Sequence, residues 1–111
     1  MAYDERLAER IRPVFEGRRD VVERKMFGGL AFLCHGRMCC GIVGRDLMVR
    51  VPDDEFDVVL SGPHVRPMDF TGRPLRGFVY VSPSGFRTAS ALRTWLSRGE
   101  RAAEQNTAEP G

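Results

Sequence analysis

Between Val21 and Val51 the chain runs in short β-branched, aromatic and sulfur-bearing segments, cut by Gly28-Gly29, His35-Gly36 and Gly44-Arg45-Asp46. Runs of this length bounded by turn-forming residues read as strands joined by tight turns or bulges. The pattern predicts strands near 22–27, 29–34, 38–43 and 47–51, and connections this short make successive strands antiparallel neighbours in a meander. A fifth strand is predicted at Gly77-Phe78-Val79-Tyr80-Val81.

Three helical segments flank these strands. Tyr3, Leu7 and Ile11 recur at spacing four with Ala8 beside them, which predicts an amphipathic helix over 3–12. Pro13 has no N–H and restricts Arg12, so regular helix ends or kinks there. Asp53, after Pro52, is placed to cap a middle helix running to about Leu60, with Phe56, Val59 and Leu60 inward. Thr88 is placed to cap a last helix whose Leu92, Trp95 and Leu96 repeat at three and four. Residues 63–77, rich in Pro, Gly and Arg, read as a structured loop with one edge strand near Met68-Asp69-Phe70. The polar segment from Glu104 lacks periodicity and is predicted to be disordered, which sets the domain at 1–103 and the tail at 104–111.

The fold class is therefore α+β, with a mainly antiparallel sheet of about five strands and N-terminal, middle and C-terminal helices. A chain of 111 residues supplies one core rather than two. Several strands are apolar on both faces: Leu30 and Phe32 oppose Ala31 and Leu33, and Phe78 and Tyr80 oppose Val79 and Val81. Three short helices do not cover both faces of five strands, so part of the sheet is expected to be buried against another copy of the chain, as a homodimer, or against a partner.

No apolar run reaches the roughly 20 residues of a membrane span, and the start, Met-Ala-Tyr-Asp-Glu-Arg, places charges where a signal peptide has its apolar region. A cytoplasmic location without membrane contact is expected. With 17 basic and 15 acidic residues the net charge is +2, too small to imply a strong field for nonspecific nucleic-acid binding. The densest basic stretch, Arg18, Arg19, Arg24 and Lys25, has Asp20 and Glu23 interleaved; it is a candidate phosphate-contacting surface and, more simply, a solvated strand entrance.

Three cysteines without a secretory signal predict reduced thiols. Cys34, His35, Cys39 and Cys40 invite a zinc reading, but Cys39 and Cys40 are adjacent on a strand and are expected on opposite faces, so they read as buried apolar residues beside a turn at which His35 takes positive φ. No metal or cofactor is expected. His64 and Asp69 supply the residue types of acid–base catalysis without an evident nucleophile. Asp69 with Arg66, Arg73 or Arg76 reads more simply as an ion pair closing the loop. No catalytic residue is assigned.

The run Lys25-Met26-Phe27-Gly28-Gly29-Leu30-Ala31-Phe32-Leu33, followed by Cys40-Gly41 and Asp46-Leu47-Met48-Val49-Arg50-Val51, resembles the N-terminal domain of the TfoX/Sxy family of competence regulators. The block from Pro63 to Val81 resembles that family's other signature and Leu92 to Leu96 its closing helix, so the likeness covers about residues 3–98. It implies an α+β domain similar to the YjbR group, here as a stand-alone member, and a non-enzymatic role in bacterial gene regulation. In two-domain members the protein helps the cyclic-AMP receptor protein act at competence promoters. The resulting expectation is an interaction module that contacts a protein partner in the transcription machinery, with Arg66, Asp69, Arg73 and Arg76 as the recognition loop. The alternative is a weak nucleic-acid binder using Arg18, Arg19, Arg24 and Lys25.

Overall fold

The turns anticipated at His35-Gly36 and Gly44-Arg45 each close a two-residue hairpin in the computed structural model, which describes residues 3–26, 28–70 and 73–108. His35 and Gly36 both sit at positive φ, 53° and 80°, which is the backbone of a hairpin turn whose twist matches its strands. The strands are β1 (Val21–Met26), β2 (Gly29–Cys34), β3 (Arg37–Val43), β4 (Asp46–Arg50), β5 (Val65–Phe70) and β6 (Arg73–Val81), in the order β1-β2-β3-β4-β6-β5 with every pair antiparallel.

The sheet thus has six strands rather than five. Residues 65–70, expected to be mostly loop, form a full edge strand hairpinned to β6, and β6 itself begins at Arg73 instead of Gly77. Pro67 is compatible with this place, because an outermost strand needs ladder hydrogen bonds on one side only.

Helix α1 (Glu5–Ile11) is capped by the Asp4 carboxylate, which accepts from the Arg6 N–H at 3.0 Å, and Arg12–Phe15 continues it as a 3-10 turn at Pro13. The middle helix differs from expectation at its start. Asp53–Glu55 is a 3-10 turn, α2 is Phe56–Leu60, and Asp53 makes no capping hydrogen bond. Thr88 caps α3 (Ala89–Ala108) as expected, its hydroxyl accepting from the Ala91 N–H at 3.0 Å. The predicted tail does not begin at Glu104, since α3 continues to Ala108.

All helices lie on one face of the sheet. Their inward residues, Leu7, Ile11, Phe15, Phe56, Leu92 and Leu96 among them, join Phe32, Ile42, Leu47, Val49, Val79 and Val81 in a single core. On the opposite face Ala31, Met38, Met48, Met68 and Phe78 form a second cluster that contains no helical residue. Ala31, Met48 and Met68 are nonetheless at most 1% exposed. Thus much of the face that appeared to need a partner is already covered within the chain.

Candidate functional site: an arginine-covered sheet face

The second face carries two arginines stacked on aromatic rings. Arg50 on β4 lies directly opposite Phe78 on β6, and its guanidinium sits 4.6 Å from that ring's centroid while Nε donates to the Met38 carbonyl at 2.6 Å. Arg66 on β5 is opposite Tyr80 on β6, 4.8 Å over its ring, and pairs with the Asp46 carboxylate at 2.6 Å. In both pairs the ladder sets the two Cβ atoms within about 5 Å on one face, and the planar guanidinium settles on the ring as a cation–π contact. Burial lowers the Arg50 pKa, and repulsion from Arg37 adds to the effect. No carboxylate pairs with Arg50 among the described residues.

Of the expected recognition residues, Arg66 is exposed and fixed in place. Asp69, Arg73 and Arg76 belong by backbone to the β5–β6 hairpin, but their side chains lie outside the described residues. A β-hairpin thus replaces the expected loop at these positions. Sequence reasoning placed Phe78 and Tyr80 on one sheet face but missed Arg50 and the stacking of both arginines on these rings. Their role depends on register between strands far apart in the chain, and a single sequence carries no local sign of that.

The alternative basic cluster is dispersed. Arg18 is held by Asp20 at 2.7 Å and Glu100 at 2.9 Å, with its guanidinium over Phe15. Hydrogen bonds from Arg18 pull the Asp20 carboxyl down to about 2. Arg19 is exposed, and Arg24 and Lys25, adjacent on β1, face opposite sides of the sheet. These four cations therefore do not form one continuous surface. His64 precedes β5 at a positive φ of 66°, while Asp69 lies five residues along the extended strand, about 15 Å away at the rise of a strand.

The cysteines are buried, as expected, but Cys39 and Cys40 do not face opposite sides of the sheet. Phe32 pairs with Cys40 and Leu33 with Met38, so Cys39 is an extra residue in β3, a bulge. The bulge cancels the alternation expected of neighbouring residues, and all three thiols enter the helix-side core. Cys34 Sγ lies 3.0 Å from Cys39 Sγ, which lies 3.8 Å from Cys40 Sγ. The Cys34 pKa is raised by its hydrogen bond to Cys39 and by burial. For Cys39 the contact with Cys34 acts in the lowering direction, but the contact with Cys40 and burial outweigh it. In this environment the thiol form is favoured over the thiolate.

An antiparallel sheet with its helices on one face, entered through a 3-10 turn and closed by a long last helix, coincides in extent with a family model. The model for the TfoX N-terminal domain matches residues 14–103. This chain belongs to the TfoX N-terminal domain family. The matched span runs from the 3-10 turn after α1 into the second half of α3, so it includes all six strands and both arginine–aromatic pairs of this TfoX N-terminal domain. No curated protein and no solved structure matches the chain.

A cleft of about 460 Å³ opens between the 3-10 turn and β1, floored by Phe15, Val21 and Phe32 and crossed by the Arg12–Glu23 ion pair at 2.9 Å. It lies on the helix side, away from the arginine-covered face. The spacing of its residues in the chain gave no sign of it.

Proposed function

We propose that this domain is a non-enzymatic interaction module acting in bacterial transcriptional, competence-type regulation through protein–protein contacts. Membership of the TfoX N-terminal domain family supports the regulatory class. The observation that carries the contact mode is the pair of arginines stacked on cross-strand rings, Arg50 on Phe78 and Arg66 on Tyr80, on the sheet face without helices. Pre-ordered arginine and aromatic side chains are the residue types that dominate protein interfaces, since their conformational cost is partly met before binding. In this reading the β5–β6 hairpin supplies the recognition residues Arg66, Asp69, Arg73 and Arg76, of which Arg66 stands over Tyr80 on this face. The partner is a protein of the transcription machinery.

The test is capture of the tagged chain's partners from native lysate with and without nuclease, beside an Arg66→Ala/Tyr80→Ala variant. A transcription factor or polymerase subunit that survives nuclease and is lost with the variant supports the reading. Retention of nucleic acid alone, with a salt slope of about −0.9 per phosphate neutralised on duplex DNA, overturns it in favour of direct nucleic-acid binding.

A further inference from the structure

The two edges of the sheet are built differently. The β5 edge carries Pro67, which has no N–H to offer, and its register with β6 shifts between Pro67 and Asp69. A proline and a bulge are devices by which proteins prevent an edge strand from pairing with another chain. The β1 edge has neither. Its six residues pair with β2 in unbroken register from Val21–Cys34 to Met26–Gly29, and among the described residues β1 has no strand on its other side. Val22 to Lys25 are all exposed, and Val22, at 50%, is one of two large hydrophobic side chains that stand exposed among the described residues.

We propose that β1 is a homodimerisation edge, pairing antiparallel with β1 of a second copy about a two-fold axis at Arg24. The register follows from faces and charges. Val21 packs with the helix-side core and Glu23 pairs with Arg12 there, so Val21, Glu23 and Lys25 face the helices. Met26 packs with the opposite cluster, which puts Val22, Arg24 and Met26 on the other face. A two-fold axis perpendicular to the sheet keeps faces matched, so only registers that pair residues of the same face are allowed. Centring on Glu23 sets like carboxylates against each other and Val22 against Arg24; centring on Lys25 opposes two ammonium groups.

Centring on Arg24 instead places Glu23 opposite Lys25 twice and Val22 opposite Met26 twice. The two opposite-charge pairs and two apolar pairs act on both faces of the joint, against one like-charge pair of exposed arginines on the axis. Glu23 keeps its bond to Arg12, because each carboxylate oxygen accepts more than one hydrogen bond. The apolar pairs continue the Met26 and Leu33 side of the second cluster across the joint. The self-association expected from the apolar strands is thereby placed at the sheet edge instead of the sheet face. This inference is independent of the transcriptional reading.

A five-residue ladder is a small interface, so the dimer belongs with weak complexes and is sought at about 0.2–0.5 mM protein. In sedimentation equilibrium the full chain is expected at about twice its 12.5 kDa mass. Glu23→Lys alone and Lys25→Glu alone, each of which makes like-charge pairs with itself, are expected as monomers. An equal mixture of the two is expected to regain the dimer, because position 23 of each variant then faces the opposite charge at position 25 of the other. A separate readout fixes the register. Arg24→Cys is expected to give a covalent dimer on mild oxidation, whereas Val22→Cys is not, since it faces Met26 of the second copy; the native cysteines are at most 2% exposed and do not compete. A monomeric wild type across this concentration range overturns the proposal, as does a mixture that stays monomeric or a cross-link at Val22→Cys in place of Arg24→Cys.

Discussion

Cys34 and Cys39 place their sulfur atoms 3.0 Å apart across the β2–β3 hairpin, because an extra residue in β3 turns Cys39 into the core beside Cys40. Their environment favours the thiol over the thiolate, which is the reactive form. All three cysteines of the native protein are therefore expected to resist iodoacetamide at pH 8 and to react fully in denaturant, as counted by intact mass. Rapid labelling of any one under native conditions contradicts the burial of this cluster.

Gly99 of α3 packs against the backbone of that same bulge. A Cβ at Gly99 would run into the Cys39 carbonyl oxygen, and backbone cannot swing aside as a side chain can. Helix propensity alone predicts that Gly99→Ala stabilises the domain by about 1 kcal/mol. The close approach reverses the sign: a loss on the order of 1–3 kcal/mol is expected, typical of overpacking. Urea unfolding followed by the fluorescence of Trp95 reads it directly; a raised midpoint would mean α3 stands further from β3.

Glu55 joins the middle of the chain to α3 by accepting from Arg101 at 2.6 Å and Arg98 at 3.2 Å. Those bonds, Arg101's first, hold its pKa below the ordinary glutamate value. A carboxyl depressed in the folded state contributes stability above its unfolded pKa and loses it as pH falls through the folded one. Stability is therefore expected to decline below about pH 4.5, the ordinary glutamate range, and Asp20, held down to about 2, extends the decline to lower pH. Glu55→Gln is expected to cost about 0.3–1 kcal/mol at pH 7, the scale of a solvent-screened pair, and to flatten the acid limb of a denaturation–pH profile. An unchanged limb would remove Glu55 from the account.

Leu96 on α3 and Phe32 on β2 are at most 1% exposed and belong to the helix-side core. Truncation to alanine is expected to cost about 2–5 kcal/mol for Leu96 and about 3–5 kcal/mol for Phe32, the larger loss reflecting the larger volume removed. Val58, 76% exposed on α2, serves as the control, with Val58→Ala within about 0.5 kcal/mol of wild type in chemical denaturation. Similar costs at Val58 and Leu96 would mean that α3 does not seal the core against the sheet.

Strands β1 to β4, the turn at His35-Gly36, the Thr88 cap and the burial of Leu92 and Leu96 were legible in the sequence. Each is set by residues within a few positions of one another: glycine or histidine at positive φ, a hydroxyl three residues before an N–H, apolar residues at a fixed period. The family could also be read there, since two ordered sequence blocks are themselves local patterns. The tertiary structure decided what depends on distant partners. Whether Pro67 ends a loop or borders a sheet depends on β6 beside it, and whether Cys39 and Cys40 share a face depends on the count of residues in β2 opposite them. Arg50 and Arg66 look like any other arginines in the sequence and become a surface only when Phe78 and Tyr80 arrive from β6, because cross-strand contacts are fixed by register and register is a property of the assembled sheet.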